Sequence, residues 1–349
     1  MIVVVTVLQV LGIIVGAFVI YLLVVALVPG ISVPQQPMEK AASSGKSHAK
    51  PPRSRRVVSF AVKGTSISAW LYLPDGLSAP VPCVVMGHGF GGTKDMGLES
   101  YAIRFQEAGF AVLALDYRHF GDSEGEPRQL AWIPHQLEDY RAAIEYARGF
   151  EEIDAARIAL WGTSFSGGHV IVTAAEDENI ACVVAQCPGL DGFESTKMGF
   201  KRVGVRTGLR LIMHGQRDIV RSWLGLSPHK IPIVGRPGSV ALMTTPDVYD
   251  AYALLAPEGF VNEVCARIAI RGDKYRPVKK AQNVRCPVLL QICEDDDLAP
   301  VSAAEETAIR LGDLAEVKRY PIGHFDIYIG RNFERSVSDQ LEFLSKYLH

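Results

Sequence analysis

Ser164 stands at the centre of Gly162-Thr-Ser-Phe-Ser-Gly167, between an apolar run, Arg157 to Trp161, and a helix-like stretch, His169 to Ala175. Strand, tight turn with a central serine, and helix make up the context that a nucleophile elbow requires. Small residues at Gly162, Ser166 and Gly167 let the helix backbone pass close to the strand, so that the serine hydroxyl stands clear of the sheet. A serine hydroxyl is a poor nucleophile until a base takes its proton, and the base needs an acid to hold its tautomer. Both partners occur downstream, in the order Ser, Asp, His. The apolar stretch Cys286 to Cys293 runs into Glu294-Asp-Asp-Asp297-Leu-Ala-Pro300, and the strand-like Glu316 to Tyr320 is followed by Pro321-Ile-Gly-His324. Asp296 is the preferred acid because it lies four residues before Pro300, and Asp295 and Asp297 stand as alternatives. His324 is picked from nine histidines by its place in a loop after a strand, near the C-terminus.

Attack on a carbonyl creates an oxyanion, which needs preorganised donors. The first is expected to be the backbone N–H of Phe165, the residue after the nucleophile. The second is assigned to the N–H of Phe90, in the glycine-dense loop Gly87-His-Gly-Phe-Gly-Gly92 that follows the strand-like Val81 to Met86. A phosphate-binding role for this loop is disfavoured, since Thr93-Lys94 is followed by Asp95 and not by Ser or Thr.

The elements around these residues alternate. Val57–Val62 and Ser68–Leu73 read as opening antiparallel strands; Val81–Met86, Phe110–Leu115, Arg157–Trp161 and Ile180–Gln186 read as central strands. Helices are predicted over Lys94–Ala108 and Pro134–Arg148. Such alternation predicts an α/β fold, a mostly parallel sheet covered by helices on both faces. Between Pro188 and Arg285 the strand rhythm stops, and a cap insertion at about 190–285 is expected over the site.

Taken together, His88-Gly-Phe-Gly-Gly92, Asp116-Tyr-Arg-His-Phe-Gly-Asp-Ser123, Gly162-Thr-Ser-Phe-Ser-Gly167, Asp296 with Pro300, and Gly323-His324 resemble the α/β-hydrolase fold. Within that superfamily, Leu160 to His169 and Tyr117-Arg118 to Glu126-Pro-Arg128 are similar to dienelactone-hydrolase-like and Xaa-Pro-peptidase-like esterases, and more so to the branch that includes fungal polyketide transferases. The resemblance runs from about Val57 to the C-terminus. It implies a Ser164–His324–Asp296 triad cleaving an ester or thioester of a small acyl substrate. The branch also implies a rival, transfer of the acyl group to an alcohol or thiol. A catalytically inactive membrane binding protein is the non-enzyme rival. Two positions depart from the common pattern. Ser166 closes the elbow motif where glycine is usual, and His119 replaces a usual glycine, at the rim of the site or on the surface.

With 349 residues the chain is long enough for one large α/β core. A net charge of -2 argues against nucleic acid as a partner. Six cysteines without a Cys-x-x-Cys pair or zinc spacing predict free thiols; neither metal nor cofactor is expected. Residues 2–28 carry no charge and show no polar face, long enough to span a bilayer as a helix. An uncleaved anchor is preferred to a cleaved signal, because a basic n-region is missing and the apolar run is too long. Lys40, Lys46, Lys50, Arg53, Arg55 and Arg56 follow the segment, which by the positive-inside tendency places the catalytic domain in the cytoplasm. The expected organisation is therefore an anchor over 1–28, a flexible basic linker over 29–56, and a hydrolase domain over 57–349. Oligomeric state is left open.

Overall fold

The computed structural model describes residues 2–28, 33, 38 and 55–349. An eight-stranded sheet forms the centre: β1 (Arg55–Val62), β2 (Thr65–Tyr72), β3 (Val81–Gly87), β4 (Ala111–Leu115), β5 (Ile153–Thr163), β6 (Cys182–Gln186), β7 (Val288–Cys293) and β8 (Ala315–Tyr320). Their order across the sheet is β1-β2-β4-β3-β5-β6-β7-β8. Only β2 runs against its neighbours; every other pairing is parallel. β4, β6 and β7 are buried along their whole length, which explains why they read as unbroken apolar runs.

Helices cover both faces. On one, α3 (Ile133–Arg148), α4 (Phe165–Ala174) and α7 (Val301–Leu311) bury Ile144, Val170 and Ala304 among the strand side chains. On the other, α2 (Leu98–Glu107) and α8 (Gly330–Leu348) bury Tyr101, Phe105, Phe343 and Leu344 against Trp161 and Val184. A buried amide cluster pins α8 to the sheet. Gln340 Nε2 donates to Gln186 and Gln291, at 2.8 and 2.5 Å, and Gln340 Oε1 accepts from the Trp161 indole at 3.0 Å.

Three boundaries differ from expectation for identifiable reasons. The helix expected from Lys94 starts at Leu98, because Lys94 is buried with its amide and its ammonium both on Asp116, at 2.7 and 2.5 Å. Gly97, at φ 85°, then turns the chain into α2. The helix after the elbow starts at Phe165 and not at His169. The first strand opens at Arg55 and not at Val57, since the Arg55 guanidinium bonds Glu99 at 2.6 Å and lies 4.1 Å over the Trp70 ring. Most of the expected linker falls outside the described residues.

Between β6 and β7 the chain leaves the sheet. It forms α5 (Gly192–Trp223), kinked at Gly204, then a two-residue ribbon pairing Lys230–Ile231 with Val264–Cys265, α6 (Val248–Leu255) and a run of 3-10 turns. Asp191 caps α5 by accepting from the Phe193 and Glu194 amides and is held by Arg276 at 2.6 Å. At the other end of the chain, α1 (Ile2–Leu27) is long and apolar enough to cross a membrane by length and composition.

Candidate active site

Every expected catalytic side chain sits at a strand end on one edge of the sheet. β5 delivers Ser164 at φ 53° and ψ -116°, a region that L-residues other than glycine rarely occupy. Backbone bonds hold it there: Ser164 N–H donates to Gln186 at 2.9 Å, and its carbonyl accepts from Gly167 and Gly189 at 2.9 and 2.7 Å. The helix then doubles back so closely that a Cβ on Gly162 would lie 2.1 Å from the Ser166 carbonyl oxygen. Glycine at 162 is thus a requirement of the turn.

Ser164 Oγ lies 3.0 Å from His324 Nε2, and His324 Nδ1 lies 2.5 Å from Asp296 Oδ2. The other carboxylate oxygen, Oδ1, accepts from the Leu298 and Ala299 amides at 2.8 and 2.7 Å. A carboxylate so placed keeps a proton on Nδ1, and in the neutral ring the Nε2 lone pair faces the serine. Burial alone would lower the His324 pKa, but the Asp296 charge overrides it and raises the pKa above the usual imidazole range. Of the two alternative acids, Asp295 is exposed and Asp297 turns to Arg202 of the cap, 3.6 Å away.

The loop after β3 passes over the serine; a Cβ on Gly89 would lie 3.3 Å from Ser164 Cβ. The Phe90 ring meets the Phe165 ring edge-on at 5.3 Å, and the Phe90 carbonyl accepts from the Tyr252 hydroxyl of α6. Phe165 opens α4, so its amide is among those that no intrahelical carbonyl can satisfy.

By sequence alone Ser166 is merely a small residue in the turn. In the fold its hydroxyl donates to the His88 carbonyl at 2.5 Å and bonds the buried Tyr117 hydroxyl at 2.7 Å, tying the elbow to the loop that carries Phe90. A serine in a glycine slot was the available signal. His119 is neither at the rim nor on the surface. It is buried at φ 77° and stacked on His135, with ring centroids 5.4 Å apart.

A cavity of about 250 Å³ opens above Ser164 and His324, lined on its far side by the cap. Its walls are mostly apolar, with Phe90, Phe165, Phe200, Leu211, Met243 and Ile268 prominent. Apolar walls of this kind suit an apolar group.

Strand order, elbow and capped cavity define an α/β hydrolase of the esterase and acyltransferase type. Residues 63–211 match the X-Pro dipeptidyl-peptidase (S15) family. Among curated proteins, the quorum-quenching protein AidA of Acinetobacter baumannii is 42% identical over 304 residues, covering 86% of this chain and 98% of that one. A polyketide transferase of Stachybotrys chlorohalonatus is 28% identical over 298 residues, covering 82% and 94%. Among solved structures, the α/β hydrolase GrgF of a Penicillium species superposes with a TM-score of 0.70 at 24% identity, covering 84% of this chain and 99% of that one. The chain belongs to the α/β hydrolases, in the family of the Acinetobacter protein, and it is similar over part of its length to the X-Pro dipeptidyl-peptidases and, at lower identity, to the fungal polyketide transferases.

Proposed function

We propose that the protein is a membrane-anchored serine hydrolase that cleaves an ester or thioester through an acyl-enzyme. The observation that carries this reading is the unbroken chain from Ser164 Oγ through His324 to Asp296 at the floor of an apolar cavity. Ser164 Oγ attacks the acyl carbonyl while His324 Nε2 takes its proton. Asp296 holds the Nδ1–H tautomer and stabilises the imidazolium. The Phe90 and Phe165 amides donate to the oxyanion. His324 then returns the proton to the departing oxygen or sulfur, leaving the acyl group on Ser164. Water, deprotonated by the same nitrogen, releases the acid. In this reading 2–28 anchor the chain, 57–349 form the hydrolase and 190–285 its cap, with the basic residues after α1 keeping the domain on the cytoplasmic side.

Acyl transfer is the second reading. The apolar, capped cavity favours an alcohol or thiol acceptor over water, and relatives named polyketide transferase and acyltransferase support it. The first test is fluorophosphonate labelling of the full chain in detergent, with turnover of p-nitrophenyl esters of increasing length. Labelling and turnover are expected, and Ser164→Ala abolishes both. A folded wild-type chain that takes no label overturns the hydrolase. Acyl product appearing only when an acceptor is added favours transfer.

A further inference from the structure

The end of α1 is fastened to the cap. Arg217 Nη1 donates to the carbonyls of Val25 and Val28, at 2.9 and 2.8 Å, and Arg221 Nη1 donates to Ala26 at 2.8 Å. Tyr21 donates to Gln216 at 2.9 Å, and Ala26 is fully buried by the contact. These are carbonyls that the last turn of a helix leaves without intrahelical partners, and two guanidinium groups also suit the negative end of its dipole. The cap is therefore held where the apolar span stops, the level at which hydrocarbon gives way to headgroups.

The second half of α5, after the kink, has two apolar faces. One lines the cavity through Gly208, Leu211 and Ile212. The other faces solvent: Val205 is 73% exposed, Leu209 53%, Met213 49% and Trp223 67%. At about 100° per residue these four fall within an arc of roughly 80°, and Gln216, the partner of α1, lies in the same arc. Exposed Arg206 and Arg210 border it, and Leu224 and Leu226 extend it past the helix end. An apolar stripe with an exposed tryptophan and flanking arginines is the pattern of a helix lying in a lipid interface.

We infer that the outer face of α5 rests in the headgroup boundary of the bilayer that α1 enters, with Arg206 and Arg210 on anionic lipid. This rests on reading α1 as a membrane helix. The occupant of the stripe is a lipid surface, because the stripe continues directly into α1. The inner face of the same helix is a cavity wall, so the acyl substrate reaches Ser164 from the lipid side. The substrate class is then an ester or thioester that partitions into membranes.

The test uses the full chain in phosphatidylcholine–phosphatidylglycerol vesicles. Bromine-labelled lipid is expected to quench Trp223 emission, taken as the difference between wild type and Trp223→Phe. The triple variant V205S/L209S/M213S is expected to lower kcat/KM on a vesicle-borne long-chain ester by about tenfold, with hydrolysis of soluble p-nitrophenyl acetate unchanged. A chain that resists carbonate extraction while Trp223 stays unquenched overturns the docking and leaves the anchor standing. A chain that carbonate extracts overturns both. A dimer in detergent that the triple variant abolishes assigns the stripe to a second copy and overturns the lipid occupant. If the triple variant loses soluble-ester activity too, the Trp223 quenching decides.

Discussion

Asp296→Asn probes the triad where its geometry is most demanding. Asp296 Oδ1 accepts from two backbone amides at 2.8 and 2.7 Å, and only an oxygen can do so. The asparagine must keep its carbonyl on those amides, which turns its NH2 toward His324 Nδ1. Two donors cannot share one line, so the imidazole proton moves to Nε2 and points at Ser164 Oγ. The lone pair that should receive the serine proton is gone. The expected loss in kcat is on the order of 10⁴, about 5.5 kcal/mol of transition-state stabilisation. Both amide bonds survive, so the melting midpoint should move by less than about 3 °C. The assay is turnover of p-nitrophenyl butyrate by the full chain in detergent, over a range of pH. Activity requires unprotonated His324 and so falls as pH drops through its pKa. Without the Asp296 charge, burial prevails and that pKa falls, which moves the acid limb of the residual activity to lower pH. A kcat within about tenfold of wild type, or an acid limb moving upward, refutes the assignment.

Ser166→Ala leaves the His88 carbonyl without this donor and the Tyr117 hydroxyl without this partner. It should cost about 2 kcal/mol in urea unfolding and slow kcat with little change in KM, as the loop carrying Phe90 loosens; an unchanged urea midpoint would count against the tie. Burial holds the His169 pKa down at about 3, between Tyr275 and Gln136. The unfolded chain takes up a proton near pH 6.5 that the folded chain refuses. This contribution to stability is thus complete above about pH 6.5 and is lost as pH falls toward 3. His119 and His229, each held at about 4 by burial, act with the same sign. The urea midpoint should therefore fall on acidification, less steeply in His169→Gln, and a midpoint flat between about pH 7.5 and 5 contradicts the account.

Much of the site was legible because it is local. The elbow, the acid loop and the histidine loop each follow a strand whose apolar run is visible, and the spacing to Pro300 singled out Asp296, the one of three neighbouring aspartates that meets His324 Nδ1. What escaped the sequence is what depends on distant contacts. The role of Ser166 needs Tyr117 and His88 to arrive from two other strands. The late start of α2 needs Asp116 to capture Lys94. The cap looked irregular because α5 carries apolar residues both toward the cavity and toward solvent, and such a helix shows no clean amphipathic period. Arg217 and Arg221 could not be assigned to α1, since nearly two hundred residues separate them.

The amide cluster around Gln340 also sets an order of events during synthesis. α8 follows every strand of the sheet in the chain, and until it docks, Gln186 and Gln291 lack their shared partner and Trp161, on the elbow strand, is uncovered. The apolar α1 precedes every strand. Translation therefore delivers the nascent chain before the sheet that supports the serine is complete. The elbow strand is thus covered only once α8 has docked, after the cap has already been made.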